Sequence, residues 1–297
     1  MMTRGRVVLA LLIVLAYAVS GSAEQSWQNV TEPVKVFQEG YIQVTGSSEE
    51  GQTRYRAIRS ATVIAQRDLL EVIQGLSLFG ATTVKDGMLG SDHIKTTVSG
   101  VIKGAQKCGE KWHSDTGHAE VCMKIYIRGK GGMFDIILPL MKEEHMMPQS
   151  LPSYEPRMVV EEMGGGATGS AERQPIVARP SEIGNPHDGL IIDAADYSFR
   201  PALVNRIITQ NNEVIFDPSK IVSSVLVDRG CGGFTNSEAK AKALLSSWGV
   251  RNPMYIKATG VSNNTDIQIN ADSASAIFTH DKKGNFLAAA NVVFIVK

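Results

Sequence analysis

"TRYRAIRSATVIAQRDLLEVIQGL", residues 53–76, decides how the first part of the chain folds. Ile58, Ala61, Ala65, Leu69, Val72, Ile73 and Leu76 recur at steps of three and four, which is one face of an α-helix. Arg56, Arg59, Arg67 and Glu71 take the other faces. Ser48 or Thr53 can cap its start, and Gly75 or Gly80 can end it.

Short strands flank this helix. Before it, "GYIQVTGSSEEG" (40–51) places Tyr41, Ile42 and Val44 in a strand closed by Gly46 and two serines. After it, "TTVKDGMLGSDHIKTTVSGVIKGAQ" (82–106) predicts a strand from about Ile94 to Lys107. "HAEVCMKIYIRG" (118–129) alternates. Val121, Met123, Ile125 and Ile127 lie on one face, and Glu120, Cys122, Lys124 and Tyr126 on the other. "SDTG" (114–117) is a turn between the two strands. The expectation is an α+β unit: a strand, a long helix, then an antiparallel ribbon whose apolar face the helix covers.

The chain starts "MMTRGRVVLALLIVLAYAVSGSAEQ". Arg4 and Arg6 precede an apolar run from Val7 to Val19, shorter than the roughly 20 residues of a membrane-spanning helix. Small residues follow. This pattern predicts a secretory signal peptide over 1–23, cut between Ala23 and Glu24, and hence a periplasmic, oxidising destination. No cysteine follows the apolar run, so no direct lipid anchor is expected. The whole chain balances 30 basic against 30 acidic residues, and aromatics are 6%. Neither a nucleic-acid partner nor a base-stacking surface is supported.

Two units are expected after the leader, over 24–140 and 187–297. Between them, residues 141–186 carry six of the eleven prolines and the run Gly164-Gly165-Gly166, which reads as a flexible linker rich in Pro, Gly and Met. The second unit is a small mixed α/β domain. "LIID" (190–193), "RIIT" (206–209) and "EVIF" (213–216) are strands, with "QNNE" as a hairpin turn. "NSEAKAKALLSSWG" (236–249) is a helix capped by Asn236 or Ser237 and stopped by Gly249. "PMYIKATGV" is a strand, a short capped helical turn is expected near Asp272, and "LAAANVVFIVK" ends the chain as a buried strand.

Cys108, Cys122 and Cys231 are the three cysteines. A zinc site from Cys108, His113, His118 and Cys122 meets a geometric objection. His118 and Cys122 are four residues apart on one strand, roughly 13 Å, whereas zinc ligands lie within about 2.3 Å of the ion. A Cys108–Cys122 disulfide across the ribbon is expected instead, with unpaired thiols and a metal as the alternatives. A loop over 113–117 would set Cys108 opposite Cys122, and a shorter loop ending at Gly117 would set Cys122 opposite Glu110; both registers stay open. No cofactor is expected. Cys231, between glycines in "DRGCGGF", and the carboxylates Asp188, Asp193 and Asp196 are the residues a hydrolase would use.

The first unit also resembles the LPP20-like domain family of bacterial envelope and flagellar accessory proteins. The resemblance rests on "GYIQVTGSS" (40–48), "ATVIAQRDLLEVIQGL" (61–76), "TTVKDGML" (82–89) and "VSGVIKGAQ" (98–106). "DGLIIDAADYSFRPALVNRIITQNNEVIFD" (188–217) and "NTDIQINADSASAIF" (264–278) look like the C-terminal half of longer members. It implies a non-enzymatic structural or assembly role, with envelope or flagellar subunits, or further copies of the chain, as partners. A periplasmic ligand-binding or adaptor module is the alternative expectation, and a hydrolase the third.

Overall fold

The structure, a computed structural model, describes residues 27–156 and 185–297. The leader, its Ala23–Glu24 junction and residues 157–184 of the expected linker lie outside the described residues. The protein is a mixed α+β molecule. In the N-terminal half, α1 (Pro33–Glu39) leads into β1 (Tyr41–Ser47), and α2 (Arg54–Gly75) follows. β2 (Ser77–Phe79) and β3 (Thr82–Thr83) form a small hairpin. Then come α3 (Val84–Gly90), α4 (Asp92–Lys103), β4 (Gln106–His113), β5 (His118–Tyr126) and α5 (Met133–Glu143).

The sheet order β1-β5-β4 is antiparallel throughout. α2 lies on the face formed by Ile42, Val44, Val121 and Met123. Its buried ridge of Ala57, Ala61, Ala65, Leu69 and Ile73 repeats at the helical period. Three alanines in that ridge let helix and sheet come close, and Gly46 of β1 is the matching hollow: a Cβ there would meet Ala61 O and Ala65 N.

The largest difference from the sequence reading lies before the ribbon. Residues 94–103, expected as strand, belong to α4, and the strand begins only at Gln106. Ser91 caps α4 by accepting from Ile94 N at 3.3 Å. Ile94, Val98 and Ile102 recur every four residues and are the buried face. Packing of that stripe outweighs the strand preference of the β-branched residues in the segment. α5, for which no element was expected, supplies Met133, Phe134, Ile137, Leu138 and Met141 to the core.

The C-terminal half contains β6 (Gly189–Asp193), β7 (Arg206–Thr209), β8 (Val214–Phe216), α6 (Ser223–Arg229), β9 (Gly233–Thr235) and α7 (Glu238–Ser247). β10 (Pro253–Lys257), β11 (Gly260–Ser262), β12 (Asp266–Ile269), α8 (Ala271–Gly284) and β13 (Val292–Ile295) complete it. β10-β6-β13-β9 is a wholly parallel sheet. Its central strands β6 and β13 are almost continuously buried, as two covered faces require. α7 covers one face through Ala241 and Leu245 against Ile191, Val293 and Ile295. β11-β12-β7-β8 forms a second sheet. α8 is a full helix rather than a short turn, capped by Asn270, whose side chain accepts from Ser273 N.

The two halves share one hydrophobic cluster. Phe37 of α1 meets Phe234 of β9 edge-on at 5.7 Å. Leu203 N and Val204 N donate to Ser77 O and Leu78 O, at 3.0 and 2.8 Å. The placed part of the expected linker is also engaged. Residues 141–143 complete α5, and Ser153 bridges Val214 alongside β8, with Val214 N donating to Pro152 O and Tyr154 N to Val214 O.

Candidate functional site

The ribbon β4–β5 brings together Cys108, His113, His118 and Cys122. Cys108 and Cys122 form a disulfide with Cα atoms 5.1 Å apart. The register is neither of the two expected. His113 pairs with His118 around a four-residue turn, which sets Gly109, not Cys108, opposite Cys122. An irregularity between Lys107 and Gly109 brings Cys108 back to the same place. A bulge supplies the extra residue that the turn length does not. Trp27 packs on the backbone of Gly109, where any side chain would collide with its ring. Cys122 is thereby fully buried on the sheet face away from α2.

The tip of the ribbon is held by the loop before α2. Gly51 N donates to Thr116 O and Gln52 N to Gly117 O, both at 2.9 Å, so the loop before α2 pairs with the turn. Gly117 has φ +69 and closes against Gly51, a position where glycine is needed. Within this frame the His113 and His118 rings stack at 4.1 Å with 8° between planes. Glu120, two residues further along the same face, places Oε2 3.8 Å from His113 Nε2. One ligand atom from each of the three lies within 4.8 Å of the others. The pitch argument separates His118 from Cys122 along a strand, and the cysteines are in any case oxidised. It does not apply across the ribbon, which is why the sequence reading missed Glu120 as a partner of the two histidines.

β4 is an edge strand. In the three-stranded sheet its only neighbour among the described residues is β5. The other edge is partly closed, since Val30 and Gln43 exchange both backbone hydrogen bonds. Ser48 N donates to Ala119 O, so the polar backbone of Ala119 points to β1. By alternation along an antiparallel pair, Glu110 and Trp112, opposite Val121 and Ala119, turn their N–H and C=O away from β5.

A cleft of about 370 Å³ lies where the halves meet, lined among others by Phe79, Gly80, Gln149, Asn212, Arg206 and Asp266. Its one buried ion pair is internally complete. Arg206 Nε and Nη2 donate to Asp266 at 3.0 and 2.6 Å, and Nη1 donates to Gln149 O at 2.9 Å.

The residues named for hydrolysis do not assemble. Asp188 and Asp193 sit at opposite ends of β6, roughly 16 Å apart at the strand rise. Asp188 accepts from Arg251 N and Asn252 N, Asp193 from Ala195 N and the Tyr255 hydroxyl, and Asp196 pairs with Lys257 at 3.6 Å. Cys231 is buried and donates to Leu203 O. Burial pushes its thiol up to about 12, whereas a nucleophile works as the thiolate.

No helix among the described residues is long and apolar enough to cross a membrane. No curated protein sequence matches the chain significantly. Residues 189–297, from the first strand of the parallel sheet to the last residue, are similar to the family described as the second domain of Treponema pallidum Tp0624.

Proposed function

We propose that the protein is a non-enzymatic structural or assembly component of the bacterial cell envelope, acting in the periplasm after removal of its leader, with a flagellar assembly as one candidate setting. The observation that carries this reading is the ribbon edge at β4. It is clamped by a disulfide and tied at its tip, and it presents the backbone groups of Glu110 and Trp112 outward. A rigid strand whose outward donors and acceptors meet no other strand among the described residues suits addition of a strand from another subunit or a second copy. The resemblance of the first unit to LPP20-like domains supports the same setting. The residues a hydrolase would need are buried or dispersed, which favours this reading over the enzymatic one.

The test is sedimentation of the chain without its leader, together with cross-linking in intact cells, for the wild type and Glu110→Pro. Proline removes one outward N–H and no inward one. Oligomers or cross-linked envelope complexes that weaken in the variant support the proposal. A wild-type monomer that cross-links to nothing in cells overturns it.

The cleft of about 370 Å³ favours a second reading, a periplasmic ligand-binding or adaptor module. That reading requires a monomer whose unfolding midpoint rises when a small polar ligand is added.

A further inference from the structure

We propose that the ribbon tip is a binding site for a divalent transition-metal ion, held by His113, His118 and Glu120. Each is an accepted ligand type for zinc, copper or nickel: two imidazoles and one carboxylate. Three features converge on it.

The first is convergence itself. The three side chains come from two strands, share one sheet face, and bring a ligand atom each to within 4.8 Å of the others. In a tetrahedral zinc site with bonds near 2.1 Å, neighbouring ligand atoms stand about 3.4 Å apart. His113 Nε2 and Glu120 Oε2, at 3.8 Å, are already close to that separation. The stacked imidazoles must turn out of their parallel arrangement so that both in-plane lone pairs point at the ion, a side-chain rearrangement on a fixed ribbon.

The second is an unmet need. His113 Nε2 is buried from solvent and has no hydrogen-bond partner among the described residues. It faces the carboxylate across a gap too long for a hydrogen bond and suited to a bridging cation. The third is orientation. Thr116 Oγ1 lies 2.5 Å from His118 Nδ1, the outer contact that metal-ligating histidines use to fix the ring, and Nε2 is left as the ligand atom. The turn that carries Thr116 is itself anchored by Gly51 and Gln52, so the site sits on a rigid support.

Three protein ligands leave at least one coordination position open to water, a small anion or a donor from another molecule. Lys111 stands opposite Glu120 in the ribbon and adds a positive charge beside the site. Three ligands rather than four place the affinity below that of a closed structural site. The inference is independent of the assembly reading, since an ion can bind whether or not β4 accepts a strand.

The experiment titrates the folded, oxidised chain without its leader with Co2+, then displaces the ion with Zn2+. Uptake of one Co2+ per chain is expected, with visible d–d absorption that zinc abolishes. His113→Gln and His118→Gln should each weaken uptake by at least about tenfold. His187→Gln, at the separate His187–His280 pair, should leave it unchanged. The far-ultraviolet spectrum and the thiol count show that each variant is folded and oxidised. Absence of saturable uptake by the wild type, or uptake by folded His113→Gln equal to it, overturns the proposal.

Discussion

A Cβ on Gly46 would stand 2.5 Å from Ala65 N and closer still to Ala61 O, so β1 and α2 meet backbone to backbone at this point. Neither partner is a flexible side chain that can swing away. Gly46→Ala therefore pushes the long helix off the sheet that carries the ribbon. The expected cost is about 3 kcal/mol, the upper end for an overpacked core. Urea unfolding should show a lower midpoint, while Ser47→Ala, at the exposed neighbouring position, stays near the wild type.

The disulfide gives a second prediction. It closes a sequence separation of 14, for which the chain-entropy argument gives about 3 kcal/mol. Cys108→Ala with Cys122→Ala should lower the melting temperature accordingly. A chemical count checks the bond directly. In denatured but unreduced protein, alkylation should label Cys231 alone, and after reduction all three cysteines. Labelling of all three before reduction would exclude the bond.

The ribbon also marks where sequence reasoning reaches and where it stops. The strand at 118–126 was legible because Val121, Met123 and Ile125 alternate with polar residues and are buried. The long helix was legible from its alanine and leucine spacing. The disulfide followed from the export signal and from two cysteines flanking a turn. Its register did not follow, because it depends on a bulge at Cys108, next to Gly109 where Trp27 packs from outside the ribbon. α4 was misread because Val98, Val101 and Ile102 suit a strand, while their fate depends on what α2 and α5 offer them. His113, His118 and Glu120 were missed as a group because their proximity runs across the ribbon, and an exact register is needed to see it.

The ion pair in the cleft gives a third prediction. Arg206 and Asp266 are both buried, and among the described residues Arg206 has no other carboxylate partner. Asp266→Asn leaves a largely buried guanidinium without its carboxylate partner. Removing one member of such a pair costs about 3 to 5 kcal/mol, well beyond the worth of an exposed pair. Lys242→Ala, which breaks the exposed pair with Glu238, should cost about 0.5 kcal/mol or less. Denaturant unfolding of the two variants side by side checks the ranking.

Cys231 supports a fourth. Its thiol is enclosed and kept protonated by burial up to about 12, so the native protein should resist iodoacetamide at this position. Cys231→Ala should affect stability and no other property. Rapid native alkylation at Cys231 would show that the thiol is accessible and reopen the hydrolase reading.

The last prediction concerns acid. His187 N donates to His280 Nδ1 at 3.0 Å, so Nδ1 must be unprotonated in the native state. Burial first, then the neighbouring His187 and Lys283, hold His280 below its ordinary value of 6.5. The unfolded chain therefore binds a proton here at a higher pH than the folded one. With more protons on the unfolded state, stability rises with pH. The contribution of His280 is full above about pH 6.5 and is lost as the pH falls through the lowered folded value. His280→Gln should melt at a lower temperature than the wild type at pH 7.5, and the difference should shrink on acidification to pH 5, as measured by thermal unfolding across that range. A gap that stays constant with pH would mean that the native site accepts the proton as readily as the unfolded chain.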